Sequence, residues 1–550
     1  MVKSPTAAAG PSAEATRLAE IWRTARSDMP AAINMARSAK ADGVAHPFVH
    51  HLVGMGLKDA GRFDEAIAEL GLGLNLSPRD VGIMTTVGLC LMELDRRQEA
   101  AQVFEAAIKL DPTSAAANFG YGWAAENLGA LDAAESAFKR ALHFDPNHAD
   151  ALTGLSGLEV RRSDWEMARV HAQRALTINH RQTGAALNLA RIELGVSDFD
   201  AAERRLRQII DLPRLGPLDM ANARIMLGDA LDGAGRYPEA FDAYAQGKSD
   251  MRRLHARIFE APGEPGARFV ANAILQEFVE TPSQAWSALV GRPTMLGQGG
   301  HAFLLGFPRS GTTLLEQVLE THGDVVSLGE KPILLDAEVE FFTRSGGVRR
   351  LAAIADDLLE PFRAAYWRRV GEFGVDLIGK MFIDKHPLYT VHLPLLAKMF
   401  PNAKVILAIR DPRDVVLSCF RRIFGMNASL YELTTMMGAA RYYDTVMRAG
   451  SVYFDRLPMQ VHRVRYEDLV AEFEQTSREL CDFLGMAWTA DLASFAETAR
   501  AGRIFTPSAT QVGRGLYAEG VGHWRRYAFA LEPVLPILRP WIEAFGYAAD

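Results

Sequence analysis

The sequence predicts two architectures in series: an all-α solenoid of short helical repeats, then an α/β domain with a mostly parallel sheet. Three observations predict it. Small residues recur at a fixed step of 34 through the first half of the chain. Past His301 the pattern changes to apolar runs alternating with amphipathic stretches, which is how a sheet crossed by helices reads. At 550 residues the chain is too long to close around one core, so two or three domains are expected.

Residues 1–14 are small, polar and interrupted by Pro and Gly, and are expected to be disordered. The repeats follow over 15–250. Ala66, Ala100, Ala134, Ala168 and Ala202 keep the step, and Leu70, Phe104, Phe138, Ala172 and Leu206 stand four places after them. Gly54, Gly88 and Gly122 lie twelve places before the first three alanines, and Pro78, Pro112 and Pro146 close three units. A further unit carries Gly228, Tyr237, Ala240 and Tyr244, and a weaker one surrounds Ala32. Each unit reads as two antiparallel helices. Gly and Ala allow a close crossing, the larger apolar residue fills the gap, and Pro ends the second helix.

Residues 251–296 read as a helical bridge broken at Pro262, Gly263, Pro265 and Gly266, and 297–550 as the α/β domain. Its expected strands are Ala302–Gly306, Leu377–Asp384, Lys404–Arg410 and Val461–Tyr466. Helices are expected from near Thr312, Leu388 and Arg413, with a longer one over Tyr431–Ala449.

Between the first strand and its helix lies Gly306-Phe307-Pro308-Arg309-Ser310-Gly311-Thr312-Thr313. A strand, a glycine-bearing loop and a helix form a phosphate cradle. Loop N–H groups converge on an anion and the helix N-terminus adds a favourable dipole. The spacing is P-loop-like, but Thr312 stands where a nucleotide-hydrolysing loop has Lys, which argues against an NTPase. A second basic group ends the Lys404 strand. Arg410 precedes an Asp411-Pro412 turn, and Ser418 and Arg422, spaced one helical turn apart, could close another anion pocket with it. Arg413 and Arg421 read as solvated helix charge. Two cradles in one domain suggest a ligand with phosphates at two places.

Composition limits the alternatives. A net charge of −7 argues against general nucleic-acid binding. No run approaches the ~18 apolar residues of a membrane helix, and no signal peptide is evident. Cys90, Cys419 and Cys481 are scattered without metal-ligand spacing, so a reduced, cytoplasmic setting is expected.

Residues 15–250 resemble the tetratricopeptide repeat (TPR) family, whose concave side commonly holds a peptide or protein partner. FPRSGTT followed by GEK, then DKHP, FPNAKVILAIRDPRDVVLSCF and VRYEDL, resembles the sulfotransferases that use 3′-phosphoadenylyl sulfate (PAPS) and release PAP. The likeness is greatest to tyrosylprotein sulfotransferases. It implies that Arg309, Ser310, Gly311, Thr312 and Thr313 hold the 5′-phosphosulfate, and that Arg410, Ser418 and Arg422 hold the 3′-phosphate. Tyr466 would lie against the adenine or its ribose, with His523, Trp524 and Arg525 in the segment that closes over the nucleotide. Glu330 would be the general base, with His386 its rival, and Arg309 and Lys385 would neutralise the developing charge without a metal. The chain departs from the resemblance at Gly522, where tyrosylprotein enzymes carry a helper serine. His523 or a backbone N–H is expected to replace it. The acceptor is expected to be a hydroxyl on a protein or peptide, tyrosine included. A carbohydrate or small molecule, a scaffold with a non-catalytic nucleotide domain, and a nucleotide or sugar kinase remain open, as does the oligomeric state.

Overall fold

The computed structural model describes residues 13–287, 299–496 and 520–549. Most of the segment expected to be disordered, residues 1–12, lies outside the described residues, while Ala13 and Glu14 open the first helix, Ala13–Ala25. Helices then alternate with short turns, and two compact units emerge, Met1–Ile192 and Glu193–Asp550.

In the first unit the 34-residue step acquires a physical cause. Ala66, Ala100, Ala134 and Ala168 are all fully buried. A Cβ placed on Gly54, Gly88 or Gly122 would stand 2.6 Å from Leu70, Phe104 or Phe138 respectively. These pairs are the expected ones: a missing side chain on the first helix leaves room for a large one on the second. The second helices end at Leu76, Leu110 and Phe144, two residues before Pro78, Pro112 and Pro146.

The second unit begins within the repeats and carries the last of them, Pro217–Gly233 and Tyr237–Phe259, where Tyr244 fills the space beside Gly228. The segment 251–296 is not a separate bridge at its start, because Tyr237–Phe259 runs unbroken through Met251. After the Pro/Gly break comes Ala267–Glu280.

The sheet has five strands, all parallel, in the order β2-β3-β1-β4-β5. They are β1 (Gly300–Leu305), β2 (Val325–Ser327), β3 (Met381–Lys385), β4 (Lys404–Ile409) and β5 (Val461–Arg465). Leu304 pairs with Lys385 and with Ile406, so β1 is central. One expected strand is shorter than its pattern, and one strand was not expected. The strand expected from Leu377 starts at Met381, because Asp376 accepts the Ile378 N–H and Gly379 turns the chain at φ 69°. The edge strand β2 has three residues, too few to show a period of two.

Alternate residues of the strands enter different layers. Ala302, Leu304, Ile383, Ile406, Ala408 and Val464 pack on Leu315, Val318 and Leu319 of the Thr312–Glu320 helix and on Leu480 and Leu484. On the opposite face His301, Phe303 and Phe382 meet Tyr366, Trp367 and Phe400. A sheet buried on both faces leaves only its ends open, and in a parallel sheet the ligand edge is the carboxyl end. Chain direction diverges there between β3 and β4, on either side of β1.

Candidate functional site

Every strand delivers a candidate residue to that carboxyl edge. Arg309 to Thr313 follow β1, Glu330 follows β2, Lys385 ends β3, Arg410 follows β4 and Tyr466 follows β5. Parallel order thus puts Arg309 and Arg410 on the same edge of the sheet, as two cradles for one ligand require.

The β1 loop is bent by two residues of left-handed backbone, Arg309 at φ 72° and Gly311 at φ 107°. A non-glycine residue held there costs about 1–3 kcal/mol, and such strain gathers at ligand sites. Gly311 precedes Thr312–Glu320, and no side chain caps that helix, which leaves its first N–H groups directed into the loop. The buried Ser310 hydroxyl accepts from the Phe307 N–H at 3.4 Å, so it braces the turn. A Cβ on Gly311 would stand 2.9 Å from the Tyr466 ring, so the ring lies directly on the cradle.

Arg410 joins the two pockets. One of its N–H groups donates to the Arg309 carbonyl at 3.2 Å and another to Gly520 O at 2.6 Å, and its guanidinium lies 4.7 Å from the Tyr466 ring centroid. Its buried Nε has no hydrogen-bond partner among the described residues. Arg309 Nε donates to Ser418 Oγ at 2.9 Å. Burial, then the neighbouring Arg422 and Arg410 guanidiniums, lower the Arg309 pKa. Three guanidiniums converging with a donor lacking an acceptor make a site that an anion would complete.

Lys385 is wholly buried between two carboxylates, 2.7 Å from Glu330 and 3.3 Å from Glu316, while the Glu330 side chain is 42% exposed. Burial pushes the Glu330 carboxyl up, but Lys385 and His386 outweigh it and hold the group below its ordinary value. Glu330 is therefore ionised at neutral pH and open to solvent. His386 is pushed down to about 4 by burial, so its ring is uncharged near neutrality and basicity does not separate it from Glu330; what distinguishes Glu330 is its exposure and its 2.7 Å pair with Lys385.

Several expectations change. Arg413 and Arg421 are not solvated. Arg413 is 1% exposed, forks onto Asp411, donates to the Ala548 and Ala549 carbonyls, and stacks on Trp524 at 3.8 Å. Arg421 pairs with Asp232 at 2.6 Å and lies over the Tyr244 and Tyr527 rings. Ser418 and Arg422 do not share a helix. Pro412–Arg421 ends one residue earlier, and Arg422 is its C-cap in extended backbone with ψ 147°.

The closing segment is described from Gly520 onward, and the rest of GRGLYAEGVGHWRRY lies outside the described residues. Asp414 accepts the N–H groups of Gly522 and Trp524, each at 2.8 Å. Gly522 is at φ 69°, a backbone that disfavours the serine expected there. Of the expected substitutes for that hydroxyl, the Gly522 N–H is taken by Asp414, and His523 Nε2 by Asp232 at 3.2 Å and by Arg421. Arg525 lies over Trp524 at 4.9 Å.

Sequence reasoning missed Glu316, Asp414 and Asp232. Glu316 stands one turn after Thr312, next to Leu314, Leu315, Val318 and Leu319, and Asp414 stands in the first turn after the Asp411-Pro412 stop. Both positions face the loop end of their helices and carry a readable signal. Asp232 lies in a repeat helix, where nothing in the local pattern marks it.

Fold and edge together define an α/β domain that brings candidate residues to the carboxyl ends of all five strands, Arg309, Lys385 and Arg410 among them, and that is preceded by helical repeats. Residues 302–490 match the sulfotransferase family model, and 88–149 and 187–250 match the tetratricopeptide repeat model. The chain thus carries a sulfotransferase-family domain joined to TPR repeats. Over 249 residues it is 31% identical to an uncharacterized protein of Aquifex aeolicus, a match spanning 43% of this chain and 32% of that protein. Over 267 residues it is 29% identical to protein-tyrosine sulfotransferase 1 of Danio rerio, covering 44% of this chain and 71% of that one. The sulfotransferase domain from the curacin biosynthetic pathway aligns at 20% identity with a TM-score of 0.34, over 45% of this chain and 98% of that chain. Among the described residues no helix is long and apolar enough to cross a membrane.

Proposed function

We propose that this protein transfers a sulfuryl group from PAPS to an acceptor hydroxyl, on a protein or peptide, with tyrosine the first acceptor to test. The observation that carries this is the meeting of Arg309, Arg410 and Arg422 where the β1 and β4 ends adjoin. Three guanidiniums gathered at one edge suit a ligand carrying more than one anionic group, and the motif resemblance apportions them to the 5′ and 3′ positions of one nucleotide.

PAPS supplies a sulfuryl group on a phosphate leaving group. Arg309 and the uncapped helix start would hold the phosphosulfate, Arg410, Ser418 and Arg422 the 3′-phosphate, and Tyr466 the base or sugar. The acceptor oxygen forms a bond to sulfur while the sulfur–oxygen bond to phosphate breaks, and Glu330 takes the acceptor's proton. PAP leaves with the bridging oxygen. Arg309 and Lys385 neutralise charge as it builds, a contribution of about 10²–10³ in rate for one well-placed donor. Lys385 also fixes the direction of Glu330 through the 2.7 Å pair. Three buried free cysteines support a reducing, cytoplasmic setting. TPR repeats generally mediate protein interactions, and a repeat groove that presents a peptide favours a peptide acceptor over a sugar.

The test is incubation of purified protein with isotopically labelled PAPS and a panel of tyrosine peptides and glycans. Label should appear on a peptide hydroxyl with one PAP released per transfer. Absence of any PAP or PAPS binding, or magnesium-dependent ATP turnover instead, would overturn the reading.

A further inference from the structure

The last helical repeat reaches the anion site directly. Asp229 and Asp232 lie three apart on Pro217–Gly233 and so share one face. They address two consecutive arginines. Asp232 pairs with Arg421 at 2.6 Å, and Asp229 stands 4.0 Å from Arg422. Asp232 also accepts from the Tyr527 hydroxyl at 2.5 Å and meets the His523 ring, so one carboxylate ties the end of the Pro412–Arg421 helix to the closing segment.

From the second helix of the same repeat comes Lys248, 1% exposed. Its ammonium donates to the Arg422 carbonyl at 2.5 Å and lies 5.5 Å from the Phe424 ring. Arg422 leaves the helix in extended backbone, so no intrahelical bond holds its carbonyl. Burying a lysine is costly unless it is paired, and this one is spent on fixing a single backbone carbonyl. Phe241 packs on Phe420 and Phe529 alongside, which buries the junction.

We propose that the last repeat is a working part of the donor site, in which Lys248, through the Arg422 carbonyl, and Asp232, through the adjacent Arg421, are positioning residues that fix the chain so that Arg422 is aimed at the 3′-phosphate. The proposal rests on the PAPS reading given above. It makes one repeat part of the nucleotide pocket while the others remain available for a partner.

The test compares PAP with adenosine 5′-phosphate, which lacks the 3′-phosphate, by titration calorimetry on the full chain. Wild type should prefer PAP. Lys248→Met should narrow that preference about tenfold, the loss of one charge-assisted hydrogen bond, with affinity for adenosine 5′-phosphate unchanged. Lys248→Gln, which keeps a donor to the carbonyl, should recover most of it. Asp232→Asn tests the second anchor and should narrow the ratio in the same direction. It carries the test if circular dichroism shows Lys248→Met to be unfolded. An unchanged ratio in the folded variants, or equal weakening of both nucleotides, would overturn the positioning role. A wild type with no preference for PAP would overturn the donor reading instead.

Discussion

Glu330 and Lys385 divide the chemistry between one exposed and one buried group. With its pKa held below the ordinary range, Glu330 needs no deprotonation step near neutrality, and what Lys385 adds is direction. Glu330→Gln keeps the shape and an acceptor for Lys385. It should lower kcat by about 10²–10⁴ while leaving the PAP dissociation constant unchanged. Single-turnover kinetics beside calorimetry checks this, and a parallel loss of binding would mean that Glu330 holds the nucleotide. Asp384, buried next to Lys385, has its carboxyl pushed up to about 7 by burial, against which the Tyr366 hydroxyl donates at 2.9 Å. A raised carboxylate pKa means that between about pH 4 and 7 the folded state keeps a proton that the unfolded chain has released. Stability therefore falls as pH rises through that window. Asp384→Asn cannot release the proton, so its melting temperature should fall less from pH 4 to 7 than wild type. Glu320, also raised to about 7, should leave a residual slope.

At the scale of elements, the turn between β1 and its helix depends on backbone that only glycine adopts freely. Gly311→Ala would meet the Tyr466 ring at 2.9 Å and force a left-handed alanine, a cost of about 1–2 kcal/mol. PAP binding should weaken at least tenfold in a chain that stays folded by circular dichroism, because cradle and ring move apart. The repeats and this turn were legible in the sequence because each imposes a strict local demand. Gly88 must be small where Phe104 is large, and the Gly306 to Thr313 spacing leaves few other uses. The end of the helix before Arg422 was not legible. Nothing in SCFRRIF stops a helix, and the observed end at Arg421 coincides with a carbonyl held by Lys248, 174 residues earlier in the chain. The burial of Arg413 was hidden for the same reason, since its partners at Ala548 and Ala549 lie 135 and 136 residues away.

At the scale of the whole molecule, parallel strand order converts five separate sequence motifs into one edge. Residues from 309 to 466 become neighbours because each follows a strand that points the same way. The compact unit that holds this edge starts at Glu193, inside the repeats, so the last repeat helices belong with the chemistry and the earlier ones form a unit of their own. The most direct test of one doubly charged nucleotide spanning two pockets is calorimetric titration of PAP into wild type and into Arg410→Met, the residue that bridges the pockets. One site per chain is expected, at least tenfold weaker in the variant. No binding to wild type, or equal binding to both proteins, would contradict it.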